Sequence, residues 1–405
     1  MAAKTVADLA DHQIAGSRVL VRVDFNVPLD KEKRITDDIR MVRALPTLKY
    51  LLERGGRLVV LSHLGRPSGG KDPVFSLEPV AKHLATLLGF PVRFCSELVG
   101  PVAAEAVNGL GDGELLLMEN TRFESGEKKN DPELARSIAG LGDVFVNDAF
   151  GTAHRAHAST VGAAEVLRSK GQEAVAGFLM EKELEFLGKA LHRPDRPFVA
   201  VLGGAKISGK IEVIHSLLPK VDKLLVGGAM ANTFFKAMGL ETGASLVEDE
   251  RIEMARETLE EAGEKLILPV DCVVAAEITD TAETREVDRT DVGIEDIIGD
   301  IGSGSRELFA QVLSGARTVV WNGPMGVFEM PPFAGGTLAV AEAVASVTDE
   351  GATTVVGGGD SASAAEAAGV ADRLSHISTG GGASLEFLSG AVLPGVAALD
   401  EKGDE

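Results

Sequence analysis

The sequence predicts an α/β fold with two Rossmann-like parallel-sheet domains. Short runs of aliphatic and β-branched residues alternate with helical patterns along the whole chain, which is typical of parallel sheets covered by helices. The chain has 405 residues, 45% of them hydrophobic, and is too long for one compact core. Because ligands bind at the carboxyl ends of strands in such sheets, functional residues are expected just after the predicted strands.

The composition excludes several classes of function. A formal net charge of -21 argues against nucleic acid or an anionic membrane surface as a partner, because either would need a basic face. This acidity suits solubility, either in high salt or in an ordinary cytosol, and the sequence does not separate the two. Cys95 and Cys272 lie far apart beside apolar residues, so inert core thiols are predicted, with neither a disulfide framework nor a metal cluster. The N-terminus has no apolar signal core and no run approaches ~18 apolar residues, which predicts a soluble, cytoplasmic protein.

In the first half of the chain, cationic side chains follow the predicted strands. These strands cover residues 18–23, 57–61, 115–118 and 143–146, and a helix begins near Ile39. At or near their ends are Arg22, Arg40, His63, Arg66, Arg122, His154 and Arg155. One such arginine is commonly a solvated residue or a salt-bridge partner, but their repetition at one edge predicts a site for a small, multiply charged anion. Asp24 and Asn26, which follow the first strand, would bond the hydroxyl groups of that ligand.

A P-loop-like run at residues 65–71 (GRPSGGK) is not expected to bind a nucleotide. It has the glycine and lysine spacing of the motif, but Asp72 replaces the Ser or Thr that binds magnesium. Pro73 then stands where the helix should continue.

A helical pattern at residues 178–191 is predicted to connect the two domains. The following HRPDRP segment breaks the helix, and such an exit from a long amphipathic helix is common at a domain boundary. A surface helix followed by a loop is the alternative interpretation. At the other end of the second domain, the glycines at residues 380–382 predict a flexible switch that returns the C-terminal tail to the first domain.

In the second half, the first predicted strand ends in glycine and is followed by two lysines. Residues 199–202 lead to Gly203 and Gly204, and Lys206 and Lys210 then lie on the first turn of a predicted helix. Such a pair either serves solubility or binds an anion, because the amino end of a helix is already electropositive. The position favours an anion.

Three further predicted strands end in the same way. The strand predicted at residues 223–226 precedes Gly227 and Gly228, and the strand predicted at 318–321 precedes the segment 322–329. The strand predicted at 353–356 precedes the run from Gly357 to Ser361. A triple glycine before a helix lets backbone N–H groups approach phosphate, and Asp360 beside it would hold magnesium; purely structural glycines are the alternative. No G-x-G-x-x-G with a downstream acid occurs at these turns, so a mononucleotide with magnesium fits better than a dinucleotide.

Seven motifs, taken together, resemble those of the phosphoglycerate kinase family over essentially the whole chain. They are RVDFNVP (22–28), SHLGRP (62–67), NDAFGTAHRAH (147–157), GGAKISGK (203–210), WNGPMGVFE (321–329), GGGDS (357–361) and STGGGASLE (378–386), in the order of the family. The resemblance implies a bilobed, hinge-closing monomer that transfers a phosphoryl group reversibly between 1,3-bisphosphoglycerate with ADP and 3-phosphoglycerate with ATP, using Mg²⁺. It also implies a role in glycolysis and gluconeogenesis.

The resemblance also assigns domains and site residues. The implied divisions are a 3-phosphoglycerate-binding domain (1–177), an interdomain helix and hinge (178–197), a nucleotide-binding domain (198–377), and a hinge segment with a tail that packs on the first domain (378–405). Residues implied to hold 3-phosphoglycerate or its acyl phosphate are Asp24, Asn26, Arg40, His63, Arg66, Arg122, His154 and Arg155. The adenosine pocket would comprise Gly203, Gly204, Gly227, Gly228, Asn322, Pro324, Val327 and Glu329, with Glu329 on the ribose. The nucleotide phosphates would contact Lys210, Gly358, Gly359, Asp360 and Ser361, and Asp360 would also hold the metal. Lys206 and Gly357 are implied to bind the nucleotide as well.

Lys206 and Arg40 are implied to be catalytic, on opposite sides of the transferring group. Three positions depart from the family pattern: Gly209 stands where an acidic residue is expected, Ala229 where a third glycine is common, and Thr121 where an apolar residue is common. The first leaves Lys210 without a local carboxylate, and the second puts the tightness of the purine pocket in doubt.

Two rival interpretations explain less of the sequence. A nicotinamide-dependent dehydrogenase would need the dinucleotide fingerprint and gives no reason for the arginines. A non-catalytic anion-binding protein explains the arginines and the hinge but not the glycine-rich nucleotide set. Turnover with MgATP and 3-phosphoglycerate separates the three.

Overall fold

The computed structural model describes residues 3–68 and 70–402, which divide into two compact units. Unit 1 comprises Met1–Leu184 and Val392–Glu405, and unit 2 comprises Glu185–Ala391. Each unit contains a six-stranded parallel sheet with helices, so the predicted α/β class with two parallel-sheet domains is confirmed. Predictions that include residues 1–2, 69 and 403–405, namely the first domain, the P-loop-like run and the tail, extend there beyond the described residues.

The sheet of unit 1 has the strand order β3-β4-β2-β1-β5-β6. Its strands are β1 Arg18–Val23, β2 Arg57–Leu61, β3 Arg93–Cys95, β4 Leu115–Met118, β5 Val144–Asp148 and β6 Ala174–Ala176. Its helices include α1 Asp11–Ile14, α2 Ile39–Glu53, α3 Glu78–Leu88, α4 Pro101–Asn108, α5 Pro132–Ala139 and α6 Ala163–Ser169. In the central register, Arg22 pairs with Leu61 on one side and Asn147 on the other. The segments that follow β1, β2 and β5 therefore leave the sheet side by side.

The sheet of unit 2 has the order β15-β14-β13-β7-β8-β9. Its strands are β7 Phe198–Leu202, β8 Lys223–Val226, β9 Leu266–Ile267, β13 Thr318–Asn322, β14 Thr353–Gly357 and β15 His376–Ile377. Its helices include α8 Ile211–Leu217, α9 Met230–Ala237, α10 Ile252–Ala262, α11 Ser303–Leu313, α12 Gly335–Asp349, α13 Gly359–Ala367 and α14 Gly382–Leu388. Asn322 pairs with both Leu202 and Gly357, which aligns the glycine-rich turns along one edge.

Unit 2 also contains a smaller, three-stranded sheet that the sequence did not predict. It is antiparallel, has the order β11-β10-β12, and consists of β10 Asp271–Ala275, β11 Arg285–Asp288 and β12 Ile297–Ile301. The sequence of β11 is REVD, and this strand is largely exposed, so it carries almost none of the apolar signal on which strand prediction depends. Its partner β10 contains Cys272, which is buried.

The prediction for the helix after β7 is wrong in its starting point. Helix α8 begins at Ile211, and Lys210 is its N-cap with φ -133° and ψ 0°, so Lys206 and Lys210 lie in a turn and not on the first helical turn. Gly209 lies within this turn, and glycine disfavours a helical start because it loses the most conformational freedom on folding. The turn leaves both lysine side chains at the edge of the sheet.

The chain passes between the two units twice. Helix α7 (Phe178–His192) begins in unit 1 and ends in unit 2, and the chain returns to unit 1 at Val392, where α15 (Pro394–Ala397) follows. Among residues 3–68 and 70–402, no helix combines the length and apolar character that crossing a membrane requires.

Candidate active site

Asp24, in the loop after β1, contacts the guanidinium group of Arg40 and lies close to the imidazole of His63. Arg40, near the start of α2, donates from Nη1 to Asp24 Oδ2 (3.1 Å) and to the backbone oxygen of Asn26 (3.1 Å). His63 Nδ1 lies 3.6 Å from Asp24 Oδ1. The amide oxygen of Asn26 accepts from the backbone N–H of Gly65 (2.8 Å). Asp24 and Asn26 therefore orient the loops that carry the cations, in addition to any contact with a ligand.

The imidazole of His63 is held neutral by its surroundings. Arg22 Nη2 lies 3.2 Å from His63 Nδ1, and both side chains are buried. Burial, and then the positive charges of Arg22, Arg122 and Arg40, place the pKa of His63 well below its usual value of 6.5. Burial, and then the positive charges of Arg22, Arg122 and Arg155, lower the pKa of His157 to about 4. Both histidines therefore offer neutral donors at pH 7, and the net positive charge comes from the arginines.

The remaining predicted cations lie on the loops after β2, β4 and β5. Arg122 donates from Nη1 to the backbone oxygen of Gly65, while its Nε is buried with no hydrogen-bond partner among the described residues. Burial and the charges of Arg22 and Arg155 lower the pKa of Arg122, which places these guanidinium groups close enough to repel one another. Arg155 donates from Nε to His154 Nε2 (2.9 Å). Arg155 and Arg66 are exposed, so their side chains are accessible to an incoming anion.

A buried carboxylate that the sequence analysis missed supports this cationic set. Glu127 is fully buried and accepts hydrogen bonds from the backbone N–H (3.0 Å) and the hydroxyl (2.5 Å) of Ser159. The same hydroxyl accepts from Arg22 Nε (2.9 Å). Ser159 thus connects the negative charge of Glu127 to the positive charge of Arg22.

In unit 2, the glycine-rich turns line two adjoining cavities. Both cavities are lined by Gly204, Ala205, Pro324 and Asp360. The first, which we call the base cavity, is further lined by apolar groups that include Phe235 and Met325. Of the residues predicted to bind the nucleotide, Gly204, Gly228, Pro324, Val327, Glu329 and Asp360 line the base cavity. Apolar walls with a few polar groups at the rim are suited to a flat heterocyclic ring.

The second cavity, which we call the phosphate cavity, carries the lysines. Its lining includes Lys206, Lys210, Asn322, Gly358, Gly359, Asp360 and Ser361. Lys210 donates from Nζ to both the backbone and the side-chain oxygen of Asn322. Burial lowers the pKa of Lys210 to about 8, and the nearby Asp360 only partly opposes this effect. A partly buried ammonium with little opposing charge would gain from a bound phosphate.

Three predicted nucleotide-binding residues lie behind the cavities and do not line them. A Cβ atom on Gly203 would lie 2.1 Å from the backbone oxygen of Pro324, and one on Gly227 would lie 2.4 Å from Met325 Sδ. The backbone oxygen of Gly357 accepts from Asn322 Nδ2 (2.7 Å). These glycines allow close packing of the turns, which matches the structural alternative weighed for them. By contrast, Gly228 has φ +67° and lies on the cavity wall.

The residues present fit a metal that arrives with a nucleotide. In the part of the chain that the structure describes, no group of three or more His, Cys, Asp or Glu side chains is arranged to hold a metal ion. Asp360 is an exposed carboxylate at the start of α13 and lines both cavities. Mg²⁺ is commonly held by one or two carboxylates together with substrate phosphates, so a single aspartate beside the phosphate cavity is consistent with this mode.

Comparison with known proteins identifies the family. The sequence profile described as phosphoglycerate kinase matches residues 9–391. The chain belongs to the phosphoglycerate kinase family. The phosphoglycerate kinase of Pelodictyon phaeoclathratiforme is 56% identical over 404 residues, covering 99% of this chain and 100% of that protein. The phosphoglycerate kinase of Thermosipho africanus is 54% identical over 398 residues, covering 97% of this chain and 98% of that protein.

The family also accounts for the fold. The solved structure of phosphoglycerate kinase from Coxiella burnetii superposes with a TM-score of 0.87 at 42% identity, and 98% of each chain is covered. The resemblance stated from the seven motifs is therefore confirmed, as is the expectation of an enzyme of the kinase type of transferase. The dehydrogenase and binding-protein alternatives are wrong. The roles of individual residues in this phosphoglycerate kinase family member stay predictions.

Proposed function

We propose that this chain catalyses the reversible transfer of a phosphoryl group between ATP and the carboxylate of 3-phosphoglycerate, which gives ADP and 1,3-bisphosphoglycerate. The observation that carries the proposal is the full-length identity of 56% with a phosphoglycerate kinase. The two kinds of site support it, because one unit carries a cationic set suited to a small anion and the other carries adjoining base and phosphate cavities.

Unit 1 would bind the phosphoglycerate. Guanidinium groups suit both the phosphate and the carboxylate of this ligand, because their planar fork donates two parallel hydrogen bonds. The exposed Arg66 and Arg155 are accessible to phosphate, and Arg122 has an unpartnered buried Nε within the same set. Asp24 and Asn26 would bond the ligand hydroxyl, with His63 and His154 completing the site. Burial, and then repulsion from Arg22 and Arg155, lower the pKa of Arg122, and a bound anion would relieve that repulsion.

Unit 2 would bind the nucleotide. The base cavity would hold adenine, and Glu329 at its rim would bond the ribose. The phosphate cavity would hold the phosphates against Lys206, Lys210 and the amino end of α13, where Gly358 has φ +93° and exposes backbone N–H groups. Mg²⁺ held by Asp360 and the phosphates would neutralise part of the phosphate charge.

The chemical step needs no general base. A carboxylate is already ionised at pH 7, so its oxygen attacks the γ-phosphorus directly while the bond from this phosphorus to the β,γ-bridging oxygen breaks and ADP leaves. Catalysis then consists of positioning and charge stabilisation, and we assign the second task to Lys206 and Arg40. Loss of one such contact costs on the order of 10² to 10³ in rate.

Three further properties belong to the same proposal. The enzyme would act as a cytoplasmic monomer without a nucleic-acid or membrane partner, in keeping with the net charge of -21. Residues 1–177 and 198–377 would be the substrate and nucleotide domains, with hinges at 178–197 and near 378. Sedimentation of the purified chain at several concentrations tests the monomer, because a mass that rises with concentration contradicts it.

A coupled assay with MgATP and 3-phosphoglycerate tests the activity. We expect ADP to form only when both substrates and Mg²⁺ are present. Omitting 3-phosphoglycerate controls for ATP hydrolysis, and omitting Mg²⁺ tests the role of the metal. The absence of turnover with the complete mixture would contradict the kinase assignment.

A further inference from the structure

The turn at residues 203–210 carries Lys206 and is exposed at its centre. Its start is anchored, because Gly204 donates its backbone N–H to the segment after β13 (2.9 Å). Ser208 and Gly209 are exposed, and the glycine gives the backbone additional conformational freedom at this point. The position of Lys206 at the phosphate cavity therefore depends on the contacts that hold the centre of the turn.

A carboxylate from another loop supplies such a contact. Glu248 accepts the backbone N–H of Ser208 at Oε2 (3.0 Å) and the hydroxyl of Ser208 at Oε1 (2.5 Å). The two residues are 40 positions apart in the sequence. Both oxygens of the carboxylate thus bond one residue of the turn, which restrains its backbone as well as its side chain.

Glu248 is itself fixed to the body of unit 2. Its backbone N–H donates to Thr233 Oγ1 in α9 (3.2 Å), and its backbone oxygen accepts from the N–H of Arg251 (2.8 Å). Thr233 is buried. The contact between Glu248 and Ser208 therefore ties the lysine-bearing turn to the buried face of α9.

Glu248 also places a negative charge close to Lys206. Burial alone raises the pKa of Glu248, but the hydrogen bonds from Ser208 and the positive charge of Lys206 outweigh this effect and lower the pKa. The carboxylate is therefore ionised at pH 7, and hydrogen bonds to an ionised acceptor are about twice as strong as those between neutral groups.

We propose that Glu248 is a positioning residue for phosphoryl transfer, which holds Ser208 and thereby fixes the turn that presents Lys206 to the transferring group. This inference rests on the proposed function and on the role assigned there to Lys206. Glu248 lines neither the base cavity nor the phosphate cavity, so it acts through Lys206 and not on the substrate. Misplacing a group that stabilises the transition state costs up to about 10² in rate.

Steady-state kinetics with MgATP and 3-phosphoglycerate test the inference. Glu248→Ala should lower kcat by about tenfold or more, while the KM for each substrate stays within about threefold of wild type. Glu248→Gln should restore kcat to within about threefold of wild type. Its amide oxygen accepts the N–H of Ser208, and its amide nitrogen donates to the hydroxyl of Ser208, so both contacts are kept.

The same substitution in a Lys206→Ala background separates positioning from a general structural role. A residue that acts through Lys206 has no further effect once the lysine is gone, so the double variant should match the kcat of Lys206→Ala within about twofold. A merely structural role would lower kcat by the same factor in both backgrounds. Glu250→Ala is the matched control, because Glu250 is exposed, lies in the same segment and carries the same charge; it should keep the kcat of wild type.

If Glu248→Ala does not fold, Ser208→Ala tests the same contact from the other side at an exposed position. It removes the hydroxyl donor and should lower kcat by about threefold or more, again only when Lys206 is present. A wild-type kcat in either variant, an equal loss in both backgrounds, or an equal loss in Glu250→Ala would overturn the inference and leave the proposed function intact. The absence of turnover in the wild-type protein would overturn both.

Discussion

Replacing Glu127 by glutamine should destabilise unit 1 strongly, because it removes a negative charge from a buried cationic set. Glu127 is fully buried, and Arg22, which is 1% exposed, reaches it through the hydroxyl of Ser159. Glutamine has nearly the same shape and keeps one oxygen acceptor, so packing changes little. The substitution removes the charge that offsets the buried guanidinium, and Asp24 remains as a further negative group acting on Arg22.

The size of the effect follows from the burial of both groups. Breaking a buried ion pair from one side costs about 3–5 kcal/mol, and the lower end applies here because Ser159 separates the charges and Asp24 remains. With a slope of about 2 kcal/mol per molar urea, a loss of about 3 kcal/mol lowers the midpoint of unfolding by about 1.5 M. An exposed substitution stays within about 0.5 kcal/mol, so Glu133→Gln on the surface of α5 is a suitable control.

The chain provides a separate optical probe for each unit. Its single tyrosine, Tyr50, lies in α2 of unit 1, and its single tryptophan, Trp321, is buried in unit 2. Urea unfolding followed by Tyr50 fluorescence should show the full shift in Glu127→Gln. A Tyr50 midpoint equal to that of Glu133→Gln would refute the argument that Glu127 offsets the charge of Arg22.

Three other predictions concern the second unit and the chemical step. Lys206→Ala should leave the binding of 3-phosphoglycerate nearly intact and reduce turnover by about 10²- to 10³-fold; turnover within about threefold of wild type would contradict its role in the transition state. Because the pKa of Lys210 is about 8 and a bound phosphate raises it, binding of MgADP near pH 8 should take up protons, as measured by calorimetry in buffers of different ionisation enthalpy. This uptake should disappear in Lys210→Met, and its persistence there would assign it to another group. Burial raises the pKa of the Asp300 carboxyl group from 3.8 to about 7 in the folded protein. The protonated carboxyl group therefore stabilises the folded state below pH 3.8, and this contribution to the free energy of unfolding is lost as the pH rises towards 7. Asp300→Asn should therefore flatten the pH dependence of unfolding followed by Trp321 across that window, and an identical slope in both proteins would show that another group titrates.

Much of the fold was predictable because the strands carry a strong local signal. The run RVLVRV coincides with β1, and the cations after β1, β2, β4 and β5 were expected at one edge because parallel strands bring their carboxyl ends together. The start of α8 was placed too early, since the spacing of Ile207 and Ile211 continues the helical period through a turn that contains Gly209. Periodicity records which residues are apolar, and it does not record where the backbone begins to be helical.

The supporting residues of the site were not predictable in the same way. Glu127 and Ser159 are separated by 32 residues, and their contact arises only when the loops after β4 and β5 pack together. Neither residue belongs to a pattern that distinguishes it from a surface residue.

The C-terminal tail makes unit 1 discontinuous in sequence, and this affects the order in which a growing chain can fold. Gly395 donates its backbone N–H to Ala153 (2.8 Å), directly before His154 and Arg155, and its backbone oxygen accepts from Asn147 Nδ2 (3.1 Å). Asp400 accepts the backbone N–H of Ala174 in β6 through its side chain (2.8 Å). A ribosome must therefore complete unit 2 before these contacts can form. Unit 2 can reach its native structure during synthesis, whereas the loop that carries His154 and Arg155 acquires its last backbone partners only after unit 2 has been synthesised.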